Sequence, residues 1–286
     1  MKSAYLKSLA ILALHAATFA ATGLGLPLLP TISVAARPAE ESKPTIVLVH
    51  GAFAGSSSWN KVVARLLKDG YPVVSAANPL RGLRTDSEYI ATVFQSIKGP
   101  VVAVGHSYAG SVISNAAVGV PNVRALVYVA GLAPESGESA ADISDRFPGS
   151  TLGPTLAPPV ALPGGGNDLY IQQDKFPAQF AADVPEADAK IMAATQRPVT
   201  EAALRDPAGT PAWKTIPSWF IFGSQDKNIT EAAHLFMAHR ASARETVDVK
   251  GASHVVMISH PGAVVALIEK AAASVKAEAL VKTTAR

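Results

Sequence analysis

No cysteine occurs in the 286-residue chain. Disulfides, thiolate metal sites, a cysteine nucleophile and a lipid attached through sulfur are therefore all excluded. Charge is also scarce. Asp, Glu, Lys and Arg make up 16% of the residues, and 25 basic against 22 acidic side chains leave a formal net charge of +3. The basic residues form no block, so nothing points to nucleic acid or an anionic surface as a partner. Aromatic residues are few, and neither an aromatic-rich groove nor a carboxylate pair suited to glycoside chemistry stands out. His234 and His239 lie five apart and fall on different faces of a helix, so no metal site is expected. What is plentiful is apolar: 49% of the chain, enough for one large core or at most two domains.

The first 36 residues read as an export signal. Lys2 and Lys7 give a positive start, Leu9 to Leu29 carries no charge, and the small residues Ser33-Val34-Ala35-Ala36 precede Arg37-Pro38. The apolar stretch is long enough to span a bilayer, but Gly23, Gly25, Pro27 and Pro30 interrupt it as a helix, which favours cleavage after Ala36 over an uncleaved anchor. Losing Lys2 and Lys7 takes the net charge from +3 to +1. The expectation is a domain over 37–286, periplasmic or secreted, with no stable membrane association once the leader is gone.

Beyond the leader, strand and helix patterns alternate, which predicts a mostly parallel sheet with helices on both faces. Strands are expected at Thr45 to Val49, Tyr71 to Ala76, Val101 to Val104, Arg124 to Ala130, Trp219 to Phe222 and Glu245 to Val249. Helices are expected at Trp59 to Lys68, Asp86 to Lys98, Tyr108 to Val118, Thr230 to Arg240 and Pro261 to about Ala277. Between about 133 and 215 the alternation breaks down into Pro, Gly and Ala-rich sequence. Short helices are expected there at Pro177 to Asp183, Glu186 to Thr195 and Thr200 to Asp206. A long insertion between two core strands reads as a lid.

The densest signal is Val101-Val102-Ala103-Val104-Gly105-His106-Ser107-Tyr108-Ala109-Gly110. An apolar strand stops at Gly105, presents one Ser and passes through small residues into a helix. Such a turn lifts a hydroxyl clear of the sheet and sets it at a helix N-terminus, where free N–H groups can hold developing negative charge. The segment resembles the nucleophile elbow of the α/β-hydrolase superfamily, often written G-x-S-x-G. It departs from that pattern in having Ala109 at the last position, with Gly110 next.

A serine nucleophile needs a base, and His254 follows the strand Glu245 to Val249 through Gly251-Ala252-Ser253. Strand C-terminal ends are where an open α/β sheet places its chemistry. His260 is the rival, but it precedes Pro261 and looks like the start of the last helix. Asp226 follows the strand Trp219 to Phe222 through Gly223-Ser224-Gln225, so that Ser107, Asp226 and His254 occur in the order the fold expects. Asp248 lies within a strand and would point into a sheet face. Glu135 is a further carboxylate alternative, and Asp226 itself also fits ordinary turn chemistry.

The resemblance implies two more parts. In that superfamily the residue after the His-Gly that follows the first core strand supplies one backbone N–H to an oxyanion hole, and the residue after the nucleophile supplies the other. Here these are Ala52, after His50-Gly51, and Tyr108, with His50 itself a structural residue of the turn. Phe53, Tyr108 and Val255 would line the acyl pocket. The segments HGAFAGSSSW, GHSYAG and GASHVVMISHP are similar to a small bacterial esterase group, itself similar in outline to plant methylesterases and hydroxynitrile lyases. The resemblance implies a hydrolase that needs no cofactor.

The expected activity is serine hydrolysis of small, uncharged, fairly hydrophobic carboxylic esters through a Ser107-His254-Asp226 triad and an acyl-enzyme. A lactonase or a hydroxynitrile lyase on the same triad is the alternative, with Lys227 as the nearest lysine for the lyase. A ligand-binding protein on a hydrolase fold is a third class.

Overall fold

Apolar runs without alternation, such as Ile46 to Val49 and Val101 to Val104, leave no face that tolerates water, so both faces need cover. The computed structural model describes residues 43–284, with side chains through Val275, and shows that cover. The expected leader lies outside the described residues. The first half alternates as β1 (Thr45–Val49), α1 (Asn60–Lys68), β2 (Val73–Ala76), α2 (Leu83–Ser96), β3 (Val101–His106), α3 (Ala109–Ala116) and β4 (Val123–Val129). An insertion follows, holding α4 (Ala140–Arg146), β5 (Val160–Ala161), β6 (Asn167–Leu169), α5 (Phe176–Phe180), α6 (Glu186–Ala194), β7 (Val199–Thr200) and α7 (Glu201–Arg205). The alternation then resumes with β8 (Ser218–Gly223), α8 (Glu231–Arg240), β9 (Glu245–Val249), α9 (Val256–Ser259) and α10 (Pro261–Thr284).

Six strands pair in the order β2-β1-β3-β4-β8-β9, every pair parallel. The chain steps outward from β1 to β2 and then back past β1 to β3 and onward. Right-handed crossovers therefore put α1 on one face and α2, α3 and α8 on the other. Helix α10 packs beside α1, and α2 beside α3. All strand C-termini meet at one edge, where β1, β3, β8 and β9 deliver the residues singled out above. Hydrophobic stabilisation is concentrated here: the side chains of β1, β3 and β4 are almost entirely removed from water.

Local departures from the expected boundaries have tertiary causes. Helix α2 begins at Leu83 rather than Asp86 because Asp206 of the insertion accepts the Leu83 N–H at 2.9 Å, a cap supplied from 123 residues away. Strand β2 begins at Val73 because Tyr71 still belongs to the helix stop: Gly70 sits at φ 75°, and the Tyr71 N–H donates to the Leu66 carbonyl. The insertion is more regular than its composition suggests. It contains a three-stranded antiparallel sheet of β5, β6 and β7, and α4 opens on a capping box between Ser139 and Asp142. Arg240 of α8 holds its start, donating to the Ala133 carbonyl at 2.7 Å and pairing with Glu138 at 2.8 Å.

Backbone approaches too close for a side chain bind these layers. A Cβ on Gly110 would sit 2.3 Å from the Leu132 carbonyl oxygen, and one on Gly105 would sit 2.6 Å from that of Ala109. Gly110 rather than residue 109 is thus the close-approach position of the elbow, which explains why Ala109 is tolerated there. Gly110→Ala is expected to cost about 2–3 kcal/mol of stability, because backbone must move to admit the methyl. Gly153→Ala, where the space is open, stays within about 0.5 kcal/mol. Urea unfolding of the two variants checks this contrast.

Candidate active site

Ser107 adopts φ 54°, a left-handed conformation that is uncommon for a residue with a side chain. Three backbone bonds hold it there. Its N–H donates to the Val129 carbonyl at 3.2 Å, and its carbonyl accepts from Gly110 at 2.9 Å and Leu132 at 3.0 Å. The loop after β1 lies directly against it: a Cβ on Gly51 would fall 2.7 Å from Ser107 Cβ. Ala52 and Phe53 are thereby brought alongside the serine. Among the described residues, neither the Ala52 nor the Tyr108 N–H donates a backbone hydrogen bond. Phe53, itself at φ 58°, spends its N–H on the Arg197 carbonyl of the insertion at 3.0 Å.

Asp226 and His254 meet across a second close approach. Gly223, at the end of β8, packs so tightly on the loop after β9 that a Cβ would lie 2.2 Å from the Ala252 carbonyl oxygen. His254 Nδ1–H donates to Asp226 Oδ2 at 2.7 Å, and a carboxylate acceptor assigns the proton to that nitrogen. Nε2 is thereby left as the basic atom. It is buried and has no hydrogen-bond partner among the described residues, including Ser107. Asp226 Oδ1 accepts the N–H groups of Asn228 at 2.8 Å and Ile229 at 3.0 Å, an Asx turn. Turn residue and imidazole acceptor are therefore the same side chain, one oxygen for each task. Burial alone would raise this carboxyl, but the His254 and His234 imidazoles outweigh it and hold Asp226 well below the usual carboxylate range.

The structure thus brings Asp226 onto His254, and it sets Ser107, Tyr108, Ala52, Phe53 and His254 around one cavity of about 310 Å³. The insertion supplies the opposite wall, mostly apolar, with Leu152, Leu156, Leu169, Phe180 and Leu204. Phe180 packs on the His254 ring at 5.0 Å and edge-on to Phe53 at 6.1 Å.

Val255 departs from the expectation. It is fully buried in the core, does not line this cavity, and precedes α9. A residue next to His254 in sequence points away from it where the chain turns into a helix. The rivals stand elsewhere. His260 is partly exposed and bonded to Ser259 Oγ at 3.0 Å, Asp248 pairs with Lys250, and Glu135 pairs with Lys214 at 2.7 Å. Lys227 is exposed, donates to the Ala178 carbonyl at 3.0 Å and does not line the cavity. Among the described residues, no group of three or more His, Asp or Glu is placed to hold a metal ion.

Several participants escaped the sequence reading. His106 donates from Nε2 to the His254 carbonyl at 3.2 Å and fixes that loop; burial keeps its pKa well below the ordinary histidine value. Asp86, fully buried in α2, accepts the Tyr108 hydroxyl at 2.9 Å and the Arg81 N–H at 3.1 Å. Its carboxyl is raised by that burial. A single carboxylate in the first turn of a helix ordinarily signals only the helix start, so no pattern marked it.

The pattern of the Alpha/beta hydrolase family matches residues 46–267. The chain belongs to this family. Among curated α/β hydrolases, Alpha/beta hydrolase nvfD of Aspergillus novofumigatus (strain IBT 16806) is 27% identical over 252 residues, covering 80% of this chain and 97% of that protein. Methylesterase 2 of Arabidopsis thaliana is 22% identical over 246 residues, covering 78% of this chain and 93% of its own. The solved structure of polyneuridine aldehyde esterase superposes with a TM-score of 0.70 at 18% identity, covering 80% of this chain and 99% of that one. At that identity the likeness speaks to the α/β-hydrolase fold.

His50, which follows β1, is bonded at both ends of its ring. Nδ1–H donates to the Gly51 carbonyl and Nε2 accepts the Asn78 N–H, both at 3.0 Å, so both ring nitrogens are used. Burial lowers its pKa to about 4. A histidine depressed below its unfolded value of about 6.5 contributes stability above that pH and loses it as pH falls toward 4. Between pH 7 and pH 5 the wild type is therefore expected to lose about 2 kcal/mol more than His50→Gln. Denaturant unfolding at the two pH values measures this difference.

Proposed function

We propose that the protein is a serine carboxylic-ester hydrolase with Ser107 as nucleophile, His254 as general base and Asp226 as the carboxylate that orients it. The observation that carries the reading is the 2.7 Å Nδ1–Oδ2 bond, which leaves His254 Nε2 as a buried base in the wall of the cavity that Ser107 also lines. Catalytic hydrogen bonds often tighten only around substrate, so the open Ser107–His254 geometry accords with it.

Ser107 Oγ attacks the ester carbonyl as its proton passes to His254 Nε2. The carbonyl electrons move onto oxygen, and the Ala52 and Tyr108 N–H groups receive that oxyanion, each worth roughly 3–4 kcal/mol of transition-state stabilisation. Collapse expels the alkoxide, which takes the proton from His254 and departs as alcohol. Water then repeats the sequence on the acyl-serine and frees the acid. Asp226, held ionised, balances the imidazolium at each stage.

A cavity of about 310 Å³ falls at the small end of ligand pockets, and its mainly apolar wall suits small, uncharged, fairly hydrophobic acyl groups. The segment between β4 and β8 serves as the lid. Esterase names among the relatives support an ester as the substrate class, and a lactone, being a cyclic ester, would follow the same steps. The exposed position of Lys227 supports hydrolysis over cyanohydrin cleavage.

Ser107→Ala is expected to lower kcat on p-nitrophenyl butyrate by about 10⁴-fold or more, and Asp226→Asn by about 10³–10⁴-fold, with Tm unchanged for the former. An ester and lactone panel should favour butyrate over palmitate. Undiminished hydrolysis by Ser107→Ala contradicts the mechanism.

A further inference from the structure

Asp226 Oδ2 accepts a second imidazole. His234 Nε2 lies 3.2 Å from it, so that this oxygen receives His254 and His234 while Oδ1 receives two backbone amides. Four donors fill the carboxylate. His234 stands one turn into α8, its N–H bonded to the Thr230 carbonyl at 3.0 Å and its ring stacked on Phe222 at 4.7 Å with the planes 9° apart. Both side chains are almost wholly buried. The other ring nitrogen, Nδ1, is also buried and has no hydrogen-bond partner among the described residues. An apolar ring would fill this space without that cost, so packing alone gives no reason for an imidazole here. The bond to Asp226 does.

We propose that His234 is a positioning residue for the hydrolytic reaction: by donating to the oxygen that receives His254, it shares out the carboxylate's charge and sets how strongly the His254 imidazolium is stabilised. The inference rests on the roles proposed above for Asp226 and His254. A carboxylate with more donors is a weaker acceptor for each of them, so losing one strengthens its hold on a protonated His254. The other ionisable groups nearby are His106 at the end of β3, with its ring 4.8 Å from that of His254, His50 after β1, Lys227 beside Asp226, Asp183, which bonds Ser253, and, lining the same cavity from α7, Glu201 and Arg205. They are common to every variant and cancel in the comparison.

The test compares wild type, His234→Leu and His234→Gln in two readouts. One is the pH profile of kcat/KM on p-nitrophenyl butyrate. The other is the titration of the His254 ring protons by NMR in a Ser107→Ala background, which needs no turnover. In His234→Leu the acid limb and the NMR midpoint should both move up by about half a pH unit or more. His234→Gln, whose amide can occupy the place of Nε2, should return both to the wild-type position. A folded His234→Leu with an unmoved midpoint overturns the proposal, as do equal shifts in the Leu and Gln variants. Should His234→Leu not fold, His234→Phe keeps the ring on Phe222 and removes the donor. Imidazole ¹⁵N shifts in the wild type must also read an Nε2–H tautomer for His234, and an Nδ1–H tautomer would overturn it without any variant. If the wild type hydrolyses no ester, the proposed function falls while the NMR titration still decides the role of His234.

Discussion

The Asp226 carboxylate is the contact through which the strand ends around the cavity are assembled. It is buried, and it receives donors from its own turn, from α8 and from the loop after β9. A buried charge of this kind is tolerable only when fully bonded, and leaving any donor out exposes the desolvation cost of the rest. That requirement ties the end of β8 to the end of β9, and it fixes the His254 ring with its basic nitrogen turned to the cavity. The close approach at Gly223 brings the two loops within reach, and the carboxylate then determines how they sit.

On the other side of the cavity the constraint is steric. Ser107 is held in a left-handed conformation by three backbone bonds, and Gly51, Gly105 and Gly110 each meet a neighbour at a distance that excludes a side chain. The insertion reaches into this machinery instead of merely covering it. Its Arg197 carbonyl holds Phe53, Asp183 bonds Ser253 beside His254, and Asp168 pairs with Arg81 at 2.6 Å, next to the amide that caps Asp86. Asp86 in turn anchors the Tyr108 ring. On the proposed mechanism, the segment that selects the substrate therefore also braces both N–H donors.

The features readable in the sequence are those whose chemistry is local. The inner parallel strands β1 and β3 showed as apolar runs, and the elbow showed as small residues around one Ser after a strand. Asp226 and His254 could be placed because each follows a core strand by a few residues. What could not be read depends on partners far along the chain. The start of α2 is set by Asp206 and the surroundings of Asp86 by a tyrosine 22 residues on, while His234, only eight residues from Asp226, is joined to it through the loop between β8 and α8, which carries no period to read. Val255 was misplaced for the converse reason: adjacency to His254 says nothing about direction once the chain turns into α9. Strands β5 to β7 are only two or three residues long, too short to carry a period that could be detected.

The account rests on Ser107 being a nucleophile made reactive by the His254–Asp226 pair, and covalent labelling tests that most directly. A fluorophosphonate should modify the wild type at one site, mapped to Ser107 by peptide mass spectrometry, with labelling slowed by orders of magnitude in folded His254→Ala. Labelling at another residue, or labelling of Ser107 at an unchanged rate without His254, would contradict it.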